Sequence, residues 1–89
     1  MNTIIIEGFV EVRNKETNEV IFATERVDFN YTDYNSDGEE FSKLLSYNNV
    51  IRIIKALYTI RLLEQNKLQK LYNKEIVIDI KSYEARVSF

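Results

Sequence analysis

The chain has no cysteine and no histidine in its 89 residues, and these two absences exclude a great deal. Without cysteine there are no disulfides, no thiolate zinc sites and no cysteine nucleophile. Without histidine the commonest general base and the commonest transition-metal ligand are also gone. Neither a G-x-S-x-G elbow nor a phosphate-cradling P-loop is present. Carboxylate pairs exist, Glu39-Glu40 and Asp33/Asp37, but they fall in a stretch that reads as a surface loop, where nothing desolvates one acid relative to the other. The sequence therefore predicts a protein that is not an enzyme and carries no cofactor. Long apolar runs are missing too. Val50–Leu63 is broken by Arg52, Lys55 and Arg61, which rules it out as a membrane span. Ile4-Ile5-Ile6 has no basic flank and meets Glu7 at once, unlike a secretory signal, so a cytoplasmic protein is expected. Proline is absent, with two glycines and three alanines, against eleven isoleucines, nine asparagines and six tyrosines. The abundant residues have AT-rich codons, which suits a small phage or mobile-element accessory protein.

What is present is charge, and it is sorted. Residues 1–42 hold ten carboxylates against three bases, a net of −7, and residues 43–74 hold seven bases against Glu64 alone, a net of +6. The overall −2 hides an acidic half and a basic half. Such asymmetry nominates nucleic acid or a charged protein as partner without choosing between them. A hydrophobic content of 45% with 29% charged residues fits one globular domain over residues 1–89.

The patterning predicts an α+β fold, ββαβ or ββααβ, with a curved antiparallel sheet carrying β-bulges and packed against one long amphipathic helix. Residues 1–34 form a hairpin, 35–73 a helical segment and 74–89 a C-terminal strand. In residues 3–13, Ile4, Ile6, Val10 and Val12 share one face, and Ile5, Glu7, Phe9, Glu11 and Arg13 the other. That period of two marks a half-buried strand. Gly8 falls on the inner face, where a bulge or a close backbone approach calls for glycine. Asn14–Glu19 is a turn. The next run, Val20–Tyr31, changes parity between Phe22 and Val27, and Glu75–Phe89 changes parity between Ile80 and Tyr83. An inserted residue does this, so bulges are expected near Thr24–Arg26 and near Lys81–Ser82. Glu39-Glu40 opens a short helix, and Asn48 or Asn49 is the expected cap of a second, running to about Tyr72.

On a helical wheel the second helix has an apolar stripe wider than usual in its first half, which packing on one sheet more often explains than a second surface such as a partner does. Arg61 falls within that stripe, with Glu64 one turn later, which suggests an ion pair, a snorkelling guanidinium or an anchor for a partner's acid. Arg52, Lys55, Lys67, Lys70 and Lys74 form a basic face able to track phosphates. Asp33-Tyr34-Asn35-Ser36-Asp37-Gly38 matches the opening of a calcium loop, making Asp33, Asn35 and Asp37 weak metal candidates. It resembles an EF-hand over those six residues only, since Leu44 stands where the loop's final glutamate belongs.

Three functional readings follow. The first is a non-enzymatic, accessory or regulatory protein that binds an unknown protein partner through its acidic-aromatic hairpin (Asp28, Tyr31, Asp33, Tyr34 and Asp37) or through the helix, a homo-oligomer being one form of this. The second is a nucleic-acid-binding module using the basic face. The third is an oligomeric structural protein built through the exposed sheet edge, with Ile5 and Phe9 on the outer face.

Overall fold

The computed structural model describes residues 2–33, 43 and 45–88. Three strands, β1 (Asn2–Asn14), β2 (Val20–Asp33) and β3 (Ile76–Ser88), form an antiparallel sheet in the order β2-β1-β3. The helix α1 (Tyr47–Glu64) and a 3-10 turn (Leu68–Leu71) lie between β2 and β3. This is the expected α+β, curved-sheet architecture. Strands this long run about 43 Å at 3.3 Å per residue, which sets the 45 Å long axis of the molecule.

The core follows the two periodicities read from the sequence. Ile4, Ile6, Val10 and Val12 of the central strand are at most 1% exposed, and Val50, Ile54, Tyr58 and Leu62, one helical turn apart, meet them with equal burial. Gly8 marks where the helix crosses. A Cβ there would lie 2.9 Å from Ile54 Cδ1 and 3.1 Å from its Cγ2, so any larger residue would have to push the Ile54 side chain aside.

Both bulges are present. Val10 faces Glu25 and Val12 faces Phe22, so β2 carries an extra residue at Ala23–Thr24, and a further shift follows between Val12 and Arg13. On the other side Phe9 faces Ser82 while Val10 faces Ile80, leaving Lys81 as the inserted residue.

The helix departs from expectation at both ends. Its cap is Ser46, whose hydroxyl accepts from the Asn49 N–H at 3.4 Å, rather than Asn48 or Asn49. It stops at Glu64 rather than near Tyr72, because Asn66 adopts a left-handed φ of 55°. The Asn66 N–H reaches the Leu63 carbonyl and the Lys67 N–H reaches Leu62, the paired bonds of a Schellman stop. Asparagine tolerates left-handed backbone through its short polar side chain. It serves the same purpose at Asn18 and Asn73. The expected short helix after Glu39 falls outside the described residues apart from Lys43 and Leu45.

Candidate functional site

The helix break disperses the basic face. Arg52 and Lys55 stand exposed on α1, Lys70 lies in the 3-10 turn and Lys74 in the following loop. The Lys67 ammonium sits 5.4 Å from the centre of the Phe22 ring, a cation–π contact that ties it to β2. The five bases therefore do not form one helical stripe.

The acidic-aromatic set is divided as well. Asp28 lies on the sheet face away from the helix and is bonded by Arg26 Nε at 2.9 Å. Tyr31 has the opposite parity and stacks on Phe29, with ring centroids 6.4 Å apart. Asp33 is the last residue of β2, and Tyr34, Asn35 and Asp37 lie outside the described residues. Among the described residues no three acidic groups gather to hold a metal ion.

On the face away from the helix, register sets Asp28, Glu7 and Glu84 side by side across the three strands. Arg26 answers two of them, reaching Glu7 at 2.8 Å and Asp28 at 2.9 Å. A depression of about 230 Å³ lies beside Glu7, Phe9, Ser82 and Glu84. Further along, Glu11 receives Arg13 Nε at 2.6 Å and Lys81 Nζ at 3.0 Å, while Asp79 receives Arg13 at 3.2 Å and Lys81 at 3.4 Å. Those bonds from Arg13 and Lys81 hold the Glu11 carboxyl below its ordinary value.

The two outer strands differ sharply. On β2, Arg61 Nη1 donates to the main-chain carbonyl of Arg26, and the same nitrogen lies 3.3 Å from Glu25. The arginine from the apolar stripe thus snorkels to the sheet edge, and Glu64 is not its partner among the described residues. Beside it Tyr58 is wholly buried with a hydroxyl that has no partner among the described residues. Burial, then the nearby Glu25 carboxylate, push its pKa up.

On β3 no described element pairs with the outer edge, and none of its residues is fully buried. The helix covers β3 incompletely, leaving an open groove of about 220 Å³ between Tyr47, Ile51 and Lys55 of the helix and Ile78, Asp79, Ile80 and Tyr83 of the strand. Tyr47 and Tyr83 meet at its end, centroids 6.2 Å apart. The site best defined by geometry is this edge with its groove. The sequence pattern offered an exposed edge among its alternatives and Lys55 as part of a phosphate-tracking face, but assigned none of the other groove residues to a site. The signal was available in Tyr47, an aromatic ahead of the helix's buried series, and in a last strand whose isoleucines lack a matching helix face.

No family model matches the chain, and no curated protein or solved structure matches it. No described helix is long and apolar enough to cross a membrane.

Proposed function

We propose that this chain is a non-enzymatic protein-binding module that accepts an extended strand of another polypeptide along β3. The observation that carries the reading is the coincidence of two features: an edge paired by no described element, and a groove beside it that has Ile78 and Ile80 along the strand and Lys55 and Asp79 at its wall. An added strand satisfies main-chain donors and acceptors on the edge, and its inward side chains, alternating at period two, enter the groove. Lys55 and Asp79 at the groove wall suit a strand that carries charges of both signs beside its apolar residues. The reading keeps a protein as partner, as the charge pattern suggested, and moves the contact from the acidic hairpin to the last strand. Nucleic acid gains nothing from the geometry, since the basic residues are spread over three segments.

The test is selection of twelve-residue peptides from a displayed library against the immobilised chain, followed by amide hydrogen exchange of the chain with and without the enriched peptides. Peptides with alternating apolar residues that slow exchange along Ile76–Ser88 support the reading. Enriched peptides that protect other segments and leave β3 unchanged overturn it, as does failure to enrich any.

A further inference from the structure

We propose that the strand taken up by β3 is the β3 of a second copy, paired antiparallel about a two-fold axis between Ser82 and Tyr83. The proposal rests on strand addition at this edge and names its occupant.

The bulge makes the strand self-complementary. Because Lys81 is inserted, the inward residues are even-numbered before it (Ile76, Ile78, Ile80) and odd-numbered after it (Ala85, Val87). Matching faces along the whole strand then demands an even-numbered residue opposite an odd-numbered one, which leaves few registers. Charge selects among them. Sliding two residues one way sets Asp79 against the partner's Glu84, and sliding two the other way sets Lys81 against the partner's Arg86; both oppose like charges. The register between them sets Asp79 against the partner's Arg86 and Lys81 against the partner's Glu84. In that register Ile78 faces the partner's Val87, and Ile80 faces the partner's Ala85. The mismatch is confined to Ser82 and Tyr83 at the axis, where both strands carry the bulge.

Two further observations fit. Glu84 and Arg86 have no ion-pair partner among the described residues, whereas Asp79 and Lys81 already sit in a network with Glu11 and Arg13 while remaining 37% and 40% exposed. Pairing extends that network across the axis and supplies the two charges that lack partners. Ile78 and Ile80 also form the floor of the groove, so the partner's Val87 and Ala85 arrive beside it. In the resulting six-stranded sheet the two β1 strands stand about 14 Å apart, three strand spacings.

The experiment is sedimentation equilibrium across a dilution series, combined with single-cysteine cross-linking, which the cysteine-free chain permits without background. The expected result is a mass rising from 10.6 kDa toward twice that value. Ser82→Cys cross-links rapidly under mild oxidation, because residues flanking the axis fall within disulfide reach. Val77→Cys, far from the axis, does not. The double variant Glu84→Gln/Arg86→Gln keeps the net charge and removes both pairs, a charge exchange for neutral amides that makes neither neighbouring register attractive. It should weaken association by about tenfold or more, with circular dichroism unchanged. A chain that stays monomeric at every concentration overturns self-pairing, even if displayed peptides still bind β3. So does a dimer in which Val77→Cys cross-links as readily as Ser82→Cys, or one indifferent to the charge exchange.

Discussion

The two edges of this sheet are strands of nearly equal length, 14 residues in β2 and 13 in β3, yet they are treated in opposite ways. An unpaired edge is a template for another chain. β2 is guarded from outside its own sequence: α1 sends Arg61 to the Arg26 carbonyl and Glu25, and the segment after α1 sends Lys67 over Phe22. β3 receives no such cover from the described residues, and the helix stands off far enough to leave a groove. The comparison teaches that edge protection here is a property of helix placement. The helix lies over β1 and β2, and the same displacement that closes one edge opens the other.

Substitutions that move the helix should disturb the contrast most. Leu62→Ala removes a side chain that is 1% exposed beside Arg61 and should cost about 2–5 kcal/mol, measured by urea denaturation. The amides of β2 should lose protection before those of β1. Arg61→Ala leaves the core intact and removes the guard itself. Its contacts are partly exposed, so the stability loss should be about 1 kcal/mol. Exchange should quicken around Arg26, and assemblies larger than dimers should appear on concentration.

Tyr58→Phe removes the buried hydroxyl that lacks a partner and should leave stability unchanged or raise it by up to about 1 kcal/mol, read as a small increase in Tm. The same substitution should flatten the alkaline limb. Burial raises the Tyr58 pKa above its ordinary 10.0, so the unfolded chain releases its proton first and stability falls as pH climbs past that value. At the other end Glu11 binds protons less readily folded than unfolded. Its contribution is present above about 4.5, the ordinary carboxyl value, and is lost as pH falls below it. Glu11→Gln should remove that part of the acid dependence, the smallest of these effects, seen by thermal melts from pH 3 to 6.

Much of the fold was legible because period-two and period-3.6 patterns report burial directly. The parity changes in Val20–Tyr31 and Glu75–Phe89 located both bulges within a residue or two, and Gly8 announced the close approach of the helix. The helix end was not legible in the same way. Leu68, Leu71 and Tyr72 continue an apolar rhythm past Glu64, yet Leu68 and Leu71 are half-buried without a continuous helix and Tyr72 is exposed; the left-handed Asn66 interrupts it with a residue that is unremarkable in isolation. Arg61 was visible as out of place, but its partners are 35 and 36 residues away on β2. Tertiary proximity, which no local pattern encodes, decided between Glu64 and Glu25. The site was less legible still. A groove exists where two surfaces fail to meet, and that gap depends on how far the helix sits from β3.

Arg61 also bears on how large an assembly this chain can build. A polymer chemist would count reactive ends: a unit with two joins indefinitely, whereas a unit with one can only couple and stop. Were β3 to pair as proposed, the guanidinium holding a carbonyl of β2 would make the molecule monofunctional in that sense. Two copies joined through β3 then present only guarded edges to the outside, and growth terminates at a pair.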